Sequence, residues 1–245
     1  MARGFARELL MAVGVARLTL SFLLRQPAWL AQSLFFAASL FILLWAWGGE
    51  RGVGYMISGY VAISVFGAGV NMVGQTVGWY RVMGVLSLFI ASPITPRAYM
   101  AGAILASTAF ILAGIPPLLI AGAAFNQTKV VAASLATAPL LLPASVLLGL
   151  TIAFYVKKPT NISAITNPIT LTLSMLPPVF YPASALPDPL KHIALLAPTA
   201  AAATLARTLS GLEQDPNPII PTTTLLAWTI ASAILANKIV KWTQE

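Results

Sequence analysis

Asn71 and Gln75 stand four residues apart in one apolar run, and Asn167, Thr170 and Ser174 are spaced to share a face of another. Uncharged amides and hydroxyls in such surroundings hydrogen-bond a neighbouring helix or line a path for an uncharged or amphiphilic solute. Both readings stay open from the residues alone. No Asp, Glu, Lys or Arg falls well inside an apolar run. Ion-coupled transport, which needs an ionisable group at membrane depth, is left with only the backbone carbonyls around Pro168 and Pro177. It stays as an alternative, as does a membrane scaffold that transports nothing. Catalysis is poorly served. There is no cysteine, and the single histidine, His192, stands beside Lys191. The six acids lie in loops or near the ends, giving neither a metal cluster nor a general-base pair. A Gly-x-x-x-x-Gly-Lys-[Ser/Thr] phosphate loop is missing too. The chain reads as no enzyme and as carrying no cofactor.

The elements that position these groups are membrane spans. With 58% hydrophobic and 8% charged residues, and a mean hydropathy of +0.86, the chain cannot cover a globular surface with solvated groups. Apolar runs at about 29–47, 54–80, 99–125, 130–156, 162–181 and 219–240 give six spans. Placing both termini in the cytoplasm puts Arg3, Arg7, Arg17, Arg25, Arg81, Arg97, Lys157, Lys158, Lys238 and Lys241 inside. Only Arg51, Lys129, Lys191 and Arg207 fall outside, together with Glu50, Asp188, Glu213 and Asp215. The net charge of +8 is therefore a topology signal, and the scattered basic residues form no nucleic-acid face.

Residues 1–26 behave differently. Arg3, Arg7, Gly14, Arg17, Ser21 and Arg25 share one stripe, interrupted by Leu10, while Phe5, Leu9, Val13, Ala16, Leu20 and Leu23 lie away from it. This predicts an amphipathic interfacial helix, ended by Pro27, ahead of a transmembrane domain over 27–245. Residues 81–97 form a cytoplasmic segment too apolar for a solvated loop. A short helix from about Gly84 to Ala91, stopped at Ser92-Pro93, is expected to offer an apolar face to a partner. Residues 162–198 combine apolar character with Pro168, Pro177, Pro178, Pro182, Pro187, Pro189 and Pro198. Each proline removes a backbone donor, so the chain must break at membrane depth, where only surrounding protein or a water-filled cavity tolerates irregular backbone. A fifth span ending outside, then short re-entrant helices over 182–211, is the expected form.

These features resemble the membrane-spanning permease subunit of ATP-binding-cassette exporters of the type-2 family. The resemblance rests on Gly84-x-Leu86, Ser92-Pro93 and Tyr99-x-x-Gly102. It rests equally on Pro178-Val179-Phe180-Tyr181-Pro182, Leu186-Pro187, Pro198-Thr199 and Arg207. It implies that Arg81, Gly84, Leu86, Phe89, Ser92, Pro93 and Arg97 form or bracket a coupling segment seated on an ATPase. It further implies two ATPase subunits holding ATP and Mg, a second permease subunit, a cell-membrane location and export of cargo between the permeases. Pro178, Phe180, Tyr181, Pro182, Leu186 and Pro187 then belong to an external gate. Relatives usually carry acidic residues in the coupling loop, whereas none occurs here between Arg81 and Arg97.

Overall fold

A computed structural model describes residues 2–25, 27–213 and 217–240, and these form helices and turns without a strand. Asp215 and Lys241, assigned above to the two sides of the membrane, lie outside the described residues, as do the side chains of Arg3, Phe5 and Leu23. Helix α1 (Ala2–Leu24) comes first. Helix α2 (Pro27–Gly67) is broken at Gly49, whose φ of 54° and ψ of −139° suit glycine alone. The chain reverses there: a β-carbon on Gly52 would collide with the carbonyl of Leu44, which lies about 12 Å away along a straight helix. Apolar residues 27–48 and 50–67 therefore form two helices joined at a tight bend.

Beyond Gly67 the helix widens into a π segment (Ala68–Val73) and narrows again as α3 (Gly74–Val82). The cause lies in the crossing with α7 (Thr128–Tyr155). Gly69 and Gly149 meet backbone to backbone, and neither has room for a β-carbon. Ser145 of α7 shares its proton between Leu142 O at 2.9 Å and Val65 O at 3.2 Å, where the regular hydrogen-bond ladder of the crossing helix gives way.

The remaining elements are α4 (Val85–Ala91), α5 (Pro96–Ala113), α6 (Ile115–Ala124), α8 (Ile162–Met175), α9 (Asp188–Ala194), α10 (Pro198–Ser210) and α11 (Ile219–Ile239). Stretches Leu34–Val82, Pro96–Ala124, Thr128–Tyr155 and Ile219–Ile239 are long and apolar enough to cross a membrane, and α9 with α10, bent by 104°, would add a fifth. The protein is all-helical and membrane-embedded. Helix α8 ends earlier than the apolar run suggests. Its 14 residues span about 21 Å, short of the ~30 Å hydrocarbon layer, because Pro177 and Pro178 withhold the next donors.

Contacts sort the helix ends into two groups. Gly54 lies against Gln127 and Leu212, Gly59 against Phe180, and Arg51 Nη2 donates to Leu212 O at 3.5 Å. At the opposite end Arg81 reaches α7, while Glu8, Thr95, Met100, Asn237 and Val240 border one cavity. Helix α1 and the end of α11 thus share an end. Helix α1 exposes Arg7, Arg17 and Arg25, as its stripe predicts. Its packed face differs: Ala12, Val15 and Thr19 are buried, with Ala12 and Val15 seated on Gly102 of α5, while Leu9, Leu10, Val13 and Leu18 remain exposed. Small residues allow the two helices to approach closely.

Candidate functional site

The proline-rich stretch after α8 is organised by Arg207, which points from α10 into the protein and is 0% exposed. Its Nη2 donates to Pro178 O at 2.7 Å and Val179 O at 3.4 Å, and its Nη1 donates to Tyr181 O at 2.8 Å. Nε returns to Ala203 O at 3.0 Å. The flat guanidinium fork suits this task, since it brings several donors to carbonyls that no helix or sheet satisfies. Its charge is met by Glu213 at 3.4 Å and by the Tyr55 ring at 5.0 Å. Pro178 and Val179 are buried here, Phe180 and Tyr181 half-buried, and Phe180 packs on Gly59. Pro182 starts a 3-10 turn (Ala183–Ala185), and Leu186 and the exposed Pro187 lead into α9. The indole of Trp228 donates to Leu196 O at 2.9 Å, fixing the bend between α9 and α10.

A second device secures the same junction. Leu173 O faces Pro177, which has no N–H, and the Thr199 hydroxyl of α10 donates to it instead. Thr199→Val is therefore expected to cost about 1–2 kcal/mol, the penalty for orphaning a buried carbonyl, and a thermal-unfolding measurement on the purified protein would record the fall.

At the opposite end, α4 lies across the foot of the bundle. Gly84 adopts φ 73° to turn the chain into it, a conformation that favours glycine. Ser92 stops it by donating to Phe89 O at 2.6 Å, and Thr95 caps α5 by accepting from Ala98 N at 3.1 Å, with Pro96 at the first helical position. Leu86 and Phe89 are buried, and the Phe89 ring lies 5.8 Å from that of Tyr80 and 5.5 Å from that of Tyr99. These two residues anchor α4 to the bundle. The free apolar face belongs to Val82, Met83 and Leu88, the last 71% exposed. Arg81 is half-buried and its Nη1 donates to Ala153 O and Val156 O, both at 2.6 Å. It closes the last turn of α7, where a cation also complements the helix dipole. Pro93 and Arg97 are exposed.

The polar groups of the apolar runs meet along one seam. Gln75 Nε2 donates to Asn167 Oδ1 at 3.1 Å and to Thr166 Oγ1 at 3.3 Å, joining α3 to α8. Thr166, Thr170 and Ser174 form a buried stripe on α8, whereas Asn167 is exposed. Asn71 lies in the π segment with a buried, unpartnered Oδ1.

With this geometry in view, the family model of the ABC-2 family transporter protein matches residues 48–237. The chain belongs to the ABC-2 family. No curated protein matches it. Membership bears out the resemblance read from the proline-rich and coupling motifs. It makes the chain the membrane component of an ABC transporter, not itself catalytic, and it implies association with an ABC ATPase subunit. The match begins beyond α1, so the family assignment rests on the helices from the Gly49 bend onward. In this ABC-2 chain Arg207 was visible in the sequence only as a member of the motif. Nothing in its spacing announced complete burial. Thr166, flanking the chosen polar residues, was also passed over, although its four-residue spacing from Thr170 was there to read.

Proposed function

We propose that this chain is the permease subunit of an ATP-driven exporter. Two copies, or this copy and a related one, form the cargo path, and two separate ATPase subunits bind ATP and Mg. The single observation that carries this reading is the construction of α4. It is braced from within by Leu86 and Phe89, is tied to the ends of α3 and α5, and turns Leu88 outward. A short helix so fixed transmits a push to two long helices at once. An exposed apolar face on it suits a protein partner.

The same reading counts six crossings. Residues 27–48 and 50–82 form two, the α5 and α6 pair a third, α7 a fourth, α8 with its irregular extension a fifth, and α11 a sixth. The basic residues Arg81, Arg97, Lys157, Lys158 and Lys238 cluster with the termini, which orients that end to the cytoplasm of a cell membrane. The residues around Arg207 then close the outer end of the path. The exposed Asn167 and half-buried Gln75 offer that path polar groups without full charge, which suits an uncharged or amphiphilic cargo, while Asn71, Thr170 and Ser174 serve the packing of α8 on the crossing helix.

Mild extraction of the native assembly is expected to recover an ABC ATPase in equal number with the permease. Proteoliposomes containing both are expected to move cargo only with hydrolysable ATP. Transport by the permease chain alone, without nucleotide, would overturn the proposal.

A further inference from the structure

Hydroxyls in the helices of this protein habitually bond back to their own backbone. Ser58 donates to Gly54 O, Ser107 to Ala103 O, Ser134 to Val130 O, Thr151 to Leu147 O and Thr222 to Pro218 O. Thr170 and Ser174 do not. Both are buried, 7% and 1% exposed, and both hydroxyls lack any partner.

The register of α8 against the crossing helix shows what they face. Gly78 is seated on Ile162, and Gly74 touches the methyl of Thr166. Four residues forward on α8 thus match four residues back on the other helix. Counted from the Gln75–Thr166 hydrogen bond, the same step carries Asn71 to the level of Thr170 and Gly67 to the level of Ser174. The Asn71 carboxamide oxygen is buried and unpartnered, and a β-carbon on Gly67 would meet nothing within 4 Å. Three orphaned polar atoms and a gap therefore coincide where the helix is widened into its π segment.

We propose that this seam binds ordered water, held by Asn71 Oδ1, Thr170 Oγ1 and Ser174 Oγ. Buried polar groups that find no protein partner are normally met by internal water, which needs two to four such partners and a gap of its own size. A water donates to the carboxamide and exchanges donors and acceptors with the hydroxyls, whereas a cation would meet three neutral oxygens and no counter-charge. Water fits that donor set. The consequence is a wetted joint between the π segment and α8. Hydrogen bonds to water re-form as helices shift, so this stretch of the seam does not itself lock α8 to the π segment.

The test uses the full chain in lipid nanodiscs. If the seam is dry, Thr170→Val with Ser174→Ala removes two unsatisfied hydroxyls and raises the melting temperature. The hydrated seam predicts a fall of about 2–4 °C, corresponding to roughly 1 kcal/mol in a chain of this size. A rise, or no change, overturns the proposal. The exchange Thr170→Ser with Ser174→Thr keeps both hydroxyls and is expected to restore the natural value. Replacing sodium by choline should leave melting unchanged, and a sodium-dependent shift would assign the site to a cation instead. On the unmodified protein, millisecond hydroxyl-radical labelling is expected at Met72 and Val73, which are 2% and 3% exposed; its absence counts against bound water.

Discussion

Arg207→Met is expected to lower stability by about 3–5 kcal/mol, the cost of removing one partner from a buried ion pair and leaving the other unpaired. In thermal unfolding this corresponds to a drop on the order of 10 °C. The effect has two separable sources. One is Glu213, left buried with no cation at 3.4 Å. The other is the set of carbonyls at Pro178, Val179 and Tyr181, which lose their donors together. Adding Glu213→Gln to Arg207→Met should recover part of the loss and no more, because the carbonyls remain unsatisfied. Arg207→Lys keeps the charge but not the fork, and is expected to fall between the natural protein and Arg207→Met. If Arg207→Met melts like the natural protein, the guanidinium does not hold this loop.

Leu88→Asp is expected to weaken association with the ATPase by tenfold or more while leaving the permease folded. Leu88 touches little of its own chain, so the change places a charge in the dock and nowhere else. A central apolar contact of this kind is commonly worth 2 kcal/mol or more across an interface. Phe89→Ala separates the two roles. Its ring is packed between Tyr80 and Tyr99, so its truncation should destabilise the permease itself, by about 3–5 kcal/mol. Quantitative pull-down of the ATPase, read beside the melting temperature of the permease, distinguishes the outcomes. Undiminished binding by Leu88→Asp would move the dock away from α4.

Much of this architecture was legible in the sequence because proline and glycine leave marks that packing does not erase. Prolines break the apolar run after 162, and Ser92 with Pro93 ends α4, whereas the start of α5 at Pro96 and the early end of α8 at Met175 were not read. Faces were harder. The apolar character of residues 81–97 is plain, but which of Leu86, Leu88 and Phe89 points inward depends on Tyr80 and Tyr99, whose placement is set by the tertiary fold. The π segment left no local signal either, since it arises from the meeting of Gly69 with Gly149, eighty residues apart in the chain. Arg207 looks like an external loop charge by composition. It is buried because an irregular backbone elsewhere needed donors, and spacing along the chain does not record that need.

The contact between Gly69 and Gly149 has a mechanical consequence. Gly69 and Gly149 mark the closest approach of two helices that also touch at Val65 with Ser145 and at Arg81 with Val156, so that approach is a fulcrum flanked by tethers. From Gly69 to Arg81 at one end of the bundle is about 18 Å along the helix, and from Gly69 to Gly54 at the other about 22 Å. The two lever arms are nearly equal. A tilt imposed on the Arg81 end would strain the Arg81 bonds to α7 and reappear, reversed in direction, at the Gly54 end.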